Sequence, residues 1–161
     1  MELSSDLLVT ENQLIVLCGC CGNLFGIHTE PIQEVLAIPE VRPVHHAPPF
    51  VRGVFNLRGR VVVLIDPAVK MGAPPQELTP ESRILVVHSK DELIGLLVST
   101  LLGVVPFASG QATPNPENLE EGFRKVISSF LLLDGKMVGL LKIDTLLGEN
   151  DELAHDGGGE A

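Results

Sequence analysis

The chain has no Trp and no Tyr, and its aromatic share is 4%, all of it from 6 Phe among 161 residues. A core built without large aromatics must be aliphatic, and a hydrophobic content of 45% supplies one. Basic residues are also scarce: 11 Lys and Arg against 21 Asp and Glu leave a formal net charge of -10. That balance opposes attraction to nucleic-acid phosphates or to anionic lipid, so nucleic acid is not an expected partner. Long apolar runs are missing as well. The uncharged stretch from Leu93 to Ala108 contains Gly95, Gly103 and Pro106 and falls short of the roughly 20 residues a membrane span needs, so it is read as two buried strands. The first residues, MELSSDLLVTENQ, are acidic where a secretion signal is basic, and a cytoplasmic protein without direct membrane insertion is expected.

With only 3 cysteines, there is no second pair to complete a zinc site around Cys18, Cys20 and Cys21. Buried thiols are the expected reading, with a small metal-binding β-barrel as the alternative. There is no G-x-S-x-G elbow, Walker loop or H-E-x-x-H, and His45-His46 precede the Pro48-Pro49 loop, as solvated histidines would. The expectation is a non-enzyme with no cofactor and no metal.

What the chain does contain is short β-rich runs broken by turns: 13–18, 23–28, 32–38, 53–58, 60–66, 83–88, 93–98, 100–107, 126–133 and 136–143. Asp134-Gly135 between two apolar runs predicts a type I′ hairpin, and Arg58-Gly59 a second reversal. Asp66 with Pro67 predicts a capped helical turn through Lys70, and Asp144 a cap for a turn through Leu147. About ten strands in one aliphatic chain indicate small closed barrels or a sandwich. Residues 1–12 read as an N-terminal extension, 13–148 as the folded domain, and 149–161 as an acidic, Gly-rich disordered tail.

One segment poses a question. GVFNLRGRVVVLID, residues 53–66, places Arg58 and Arg60 inside an apolar run. In IQEVLAI read as a strand, Ile32, Glu34 and Leu36 share a face, leaving one carboxylate between two apolar side chains. A cation near apolar strands and an acid so placed each call for a partner, and Glu34 with Arg58 is the pair predicted, with two unrelated surface charges as the alternative.

These residues resemble a known family. FGI at 25–27, IQEVLAI, APPFVRGVFNLRGRVVVLID, RILVV, IGLLV with VVPF, and the closing MVGLLKIDTLL are similar to a CheW-like coupling domain. The resemblance implies an all-β fold of two intertwined five-stranded SH3-like β-barrels with short helical turns and an apolar groove between them. It further implies a scaffold that links the cytoplasmic tips of chemoreceptors to the regulatory domain of the histidine kinase CheA, at membrane-associated receptor arrays. Carried over by position, Glu34 and Arg58 are the structural ion pair. Ile32, Gly53, Arg58, Gly59, Gly95, Leu101 and Val104 are the candidate receptor- or kinase-binding positions. Departures such as Ser99-Thr100-Leu101 after the IGLLV strand leave open a member that serves a twitching, gliding or other array.

Overall fold

The computed structural model describes residues 12–148; the expected N-terminal extension, apart from Asn12, and the expected acidic tail lie outside the described residues. The chain starts with β1 (Asn12–Cys20) and β2 (Asn23–His28), then runs through β3 (Ile32–Ala37), β4 (Val51–Leu57), β5 (Arg60–Ile65), β6 (Arg83–Ser89) and β7 (Glu92–Val98). It continues with β8 (Thr100–Ala108), β9 (Ala112–Thr113), β10 (Ile127–Leu133) and β11 (Lys136–Leu141). Two short helices interrupt it, α1 (Pro67–Lys70) and α2 (Glu121–Val126), and residues 143–148 are also helical.

The ten predicted runs are all strands. Four of the reversals between them place two consecutive residues at positive φ: Cys21-Gly22, Arg58-Gly59, Lys90-Asp91 and Asp134-Gly135. This is the backbone twist that joins adjacent antiparallel strands tightly. Asp66 caps α1 by accepting from the Ala68 N–H at 3.0 Å, with Pro67 opening the helix. Asp144 does not cap. The last helical segment begins one residue earlier, at position 143, which puts Asp144 inside the first turn. Two elements escape sequence patterning: β9, two residues long and held only by pairing with β10, and α2, six residues with no side-chain cap.

Strand order is β8-β1-β2-β11-β10-β9 in one sheet and β3-β6-β7-β5-β4 in the other. The first barrel therefore has six strands where five were expected, the small β9 being the addition. The second barrel is an insertion: the chain leaves the first sheet after β2, builds all of the second, and returns at β8. Parallel pairs, β2 with β11 and β5 with β7, join segments distant in sequence.

Each sheet buries a core against itself, which a flat sheet cannot do, so each is curled. Phe55, Leu57, Val62, Leu64, Ile84, Val86, Leu93 and Leu97 fill the second barrel; Ile15, Phe107, Leu131, Val138 and Leu140 fill the first. A third and larger cluster takes residues from both sheets, among them Val16, Cys18, Phe25, Ile65, Leu85, Leu96 and Leu141, and welds the barrels into one body. Among the described residues no helix is long and apolar enough to cross a membrane. The 93–108 stretch is two strands, but only β7 is buried. β8 lies at the sheet edge and alternates between half-buried and exposed along residues 101–106.

Candidate functional site: an ion-paired seam, a buried polar joint and an apolar strip

Arg58 lies in the β4–β5 turn at φ 51, and its guanidinium donates to both carboxylate oxygens of Glu34, through Nη1 to Oε1 at 3.2 Å and through Nη2 to Oε2. Glu34 is on β3 and the turn belongs to β4. These are the two edge strands of the second sheet, so the pair spans the seam where that barrel closes. Gly59, at φ 89, completes the turn, and its N–H donates to Asn56 Oδ1 at 2.9 Å.

The surroundings differ from expectation in two respects. The pair is not buried: the Arg58 side chain is 66% exposed and that of Glu34 24%. Nor do all three of Ile32, Glu34 and Leu36 share a face: Glu34 and Leu36 do, and Ile32 lies on the other side. A bulge at Gln33 sets Ile32 opposite Val87 and Glu34 opposite Val86, so Ile32 packs on the shared core while Leu36 packs into the second barrel. A strand read at strict period two cannot reveal such a bulge.

The Arg58 guanidinium holds the Glu34 carboxyl below its ordinary range. A depressed carboxyl pKa contributes stability above the unfolded-state value and loses it as pH falls through the folded one. The contribution is therefore complete at neutral pH and fades only below about pH 4.5, the ordinary glutamate value. Because the pair is solvated, Arg58→Ala is expected to leave the melting temperature at pH 7 near that of the wild type in low salt, with any difference shrinking in high salt. A loss of folded protein in circular dichroism would contradict this reading.

The aspartate that closes the apolar run has a different partner. Asp66 is 0% exposed and accepts from four donors. Arg52 Nη1 reaches Oδ2 at 3.0 Å, the Gln76 N–H reaches Oδ2 at 2.8 Å, Gln76 Nε2 reaches Oδ1 at 2.8 Å, and the fourth is the Ala68 cap bond. Gln76 extends the network: its Nε2 also donates to the Leu97 carbonyl, its Oε1 accepts from Ser99 Oγ at 2.7 Å, and its own carbonyl accepts from Arg52. Ser99 then donates its N–H to the Gly19 carbonyl of β1 in the other barrel. This polar joint stands where the chain crosses from β7 to β8. Sequence reasoning assigned Asp66 only its cap. The missing signal was Arg52, next to Val51, which lies opposite Ile65, so that a cation and an acid lie near each other at the open end of the β4–β5 hairpin.

The candidate binding positions divide by exposure. Gly53 and Gly95, two of the candidate binding positions, are buried. A Cβ on Gly95 would stand 2.9 Å from both Ile84 Cγ2 and Phe55 Cε1, so this glycine serves packing. Leu101 is half-buried against the shared core, and Val104 is 58% exposed. By register Leu101 faces Cys18, Val104 faces Val16 and Pro106 faces Leu14, and directly opposed residues lie on the same side of a sheet. Since Val16 and Cys18 belong to the shared core, an apolar strip runs out of that core along β8 and β1, ending on exposed Leu14. Leu14 and Pro106 were legible from the alternation of the two strands, but reading β8 as buried concealed them.

His45 and His46 are exposed in a loop. Among the described residues no three His, Cys, Asp or Glu side chains are grouped as a metal site, and all three cysteines are free thiols.

Two curled sheets with a shared core, a solvated ion pair across one seam and an uncharged apolar strip along one edge strand define a double-barrel interaction module. The chain belongs to the CheW-like domain family, whose model matches residues 14–151. It is 31% identical over 118 residues to the chemotaxis protein CheW of Thermotoga maritima, covering 73% of this chain and 76% of that one. It is 27% identical over 122 residues to the chemotaxis protein CheW of Rhizobium meliloti, covering 76% and 79%. The crystal structure of the scaffolding protein TtCheW from Thermoanaerobacter tengcongensis superposes with a TM-score of 0.76 at 24% identity, over 84% of this chain and 92% of that one, a likeness of fold.

Proposed function

We propose that this protein is a non-catalytic coupling adaptor of a chemosensory system, which binds the cytoplasmic tip of a chemoreceptor and the regulatory domain of the histidine kinase CheA at once, in the cytoplasm at membrane-associated arrays. The observation that carries the reading is the family match over residues 14–151, together with relatives named as chemotaxis proteins. Residues 13–148 form the working unit. The apolar strip of Leu14, Leu101 and Val104 fits a helical partner laid against the rim of the shared core, since an amphipathic helix offers apolar side chains at matching intervals. Arg58, Gly59 and the adjoining β3 form a second, polar surface at the opposite sheet. Signalling then requires only that receptor conformation alter these contacts, a coupling of about 1–3 kcal/mol.

Co-sedimentation of the purified protein with receptor-bearing membranes and kinase, with kinase phosphorylation as readout, tests the reading. Phosphorylation should rise only when all three components are present. Val104→Glu should weaken receptor co-sedimentation about tenfold, or about 1.4 kcal/mol, because it buries a charge in an apolar contact. Stimulation of the kinase without receptor, or receptor binding indifferent to Val104→Glu, would count against it.

A further inference from the structure

The adaptor reading puts its two surfaces on different barrels, the apolar strip on β1 and β8 of the first and the Arg58 surface on the second. Their relative position is set wherever the barrels are tied together. The shared core holds the barrels in contact, but apolar contacts are non-directional, whereas hydrogen bonds between fixed groups set an angle. Such bonds gather at α1. This single helical turn follows directly on β5 of the second barrel, and Ala68 and Met71 seat it in the shared core.

A polar tie to the first barrel leaves each end of α1. At its start, Asp66 accepts from the Gln76 N–H and Nε2, and Gln76 Oε1 accepts from Ser99 Oγ at 2.7 Å. Ser99 is the single residue between β7 and β8, and its N–H donates to the Gly19 carbonyl of β1 at 2.9 Å. At the other end, Lys70 Nζ lies 4.6 Å from the centre of the Phe50 ring, just ahead of β4, and donates to the Leu146 carbonyl. Leu146 belongs to the helical segment 143–148 that follows β11 of the first barrel, and it is buried in the shared core.

We propose that α1 sets the angle between the two barrels, with Ser99 and Lys70 as the positioning residues. One hydrogen bond is a pivot; two, separated by the roughly 6 Å length of a four-residue helix, oppose rotation about either. The ties are therefore redundant against separation and cooperative against rotation. On the adaptor reading, this fixed angle is what carries a change at the apolar strip to the surface around Arg58, since the strip begins at Leu101, two residues beyond Ser99.

Spin labels carried on unnatural residues at exposed Val61 of β5 and exposed Leu132 of β10 report the distance between barrels in the full-length protein without partners. Ser99→Ala and Lys70→Met should each change the distance distribution little, whereas the double variant should widen it at least about twofold, well beyond the sum of the two. Both side chains are half-buried, so the double variant is expected to remain folded in circular dichroism. Ser99→Thr combined with Lys70→Arg keeps a hydroxyl and a cation and should restore the narrow distribution. With receptor and kinase added, the double variant should bind each partner alone as the wild type does, while three-component kinase stimulation falls about tenfold. An unwidened distribution overturns the proposal, and so does loss of folded protein, which would make the ties supports of the fold itself. A widened distribution with undiminished stimulation overturns the link from angle to signalling. Failure of the wild-type protein to stimulate the kinase would instead strike the adaptor reading, and the distance measurement would still decide the role of α1.

Discussion

Replacing Asp66 with alanine is expected to destabilise the protein by about 3–5 kcal/mol, the usual result of removing one member of a buried charged pair. The size follows from what is left behind. Arg52 loses its carboxylate, and the Gln76 N–H, Gln76 Nε2 and Ala68 N–H lose acceptors at a position shielded from water. Unsatisfied buried donors cost about 1–3 kcal/mol each before relaxation, and relaxation keeps the sum near the lower estimate. For a domain of this size each kcal/mol lowers the melting temperature by roughly 2–4 °C, so a fall of about 6–20 °C is expected in a thermal scan. The double variant Arg52→Met/Asp66→Leu should recover part of the loss, since no uncompensated charge remains. A shift below about 2 °C for Asp66→Ala would show that water enters the joint freely and that the network contributes little.

Gly53→Ala should have a cost of similar size, by a different route. Gly53 sits at φ 147, a conformation that L side chains rarely adopt, at an irregularity in the β4–β5 register. An added Cβ would stand 2.8 Å from Val41 Cγ1, 2.9 Å from the Arg42 carbonyl carbon, and closer still to that carbonyl's oxygen. Arg42 exchanges backbone hydrogen bonds with Val54 at 2.9 and 2.8 Å, so the obstructing group is pinned main chain and cannot swing aside. Backbone strain of about 1–3 kcal/mol adds to overpacking of about 1–3 kcal/mol, and much of the variant should be insoluble or unfolded at 37 °C. Denaturant titration of the soluble fraction checks this, and it separates two kinds of position that the family resemblance had grouped together. Gly53→Ala should lose partner binding in step with folding, whereas Arg58→Ala should remain folded. A fully folded Gly53→Ala that fails only in binding would place Gly53 on the contact surface.

Several features could be read directly from the residues because their causes are local. Asp134-Gly135 and Arg58-Gly59 tolerate the positive φ of tight reversals, and Asp66-Pro67 both caps and opens a helix. The pairing of Glu34 with Arg58 was also legible, since a carboxylate on one strand and a guanidinium at a turn are complementary charges. Its environment was not. Exposure depends on which strands lie at the sheet edges, and β3 and β4 become edges only when β5 pairs in parallel with β7. The bulge at Gln33 is hidden for the same reason, as register is a property of two strands and cannot be read from either one alone.

Alternating apolar runs and reversals with permissive backbone determined without any coordinates that this would be a β-rich domain, because pattern and turn preference are properties of neighbouring residues. Three matters waited for the folded chain: that buried Asp66 meets Arg52 and Gln76 in one joint, that Leu14 and Val104 form one exposed strip, and that Gly53 presses on Arg42. Each brings together groups distant in sequence, and such meetings depend on how the two sheets close and share a core.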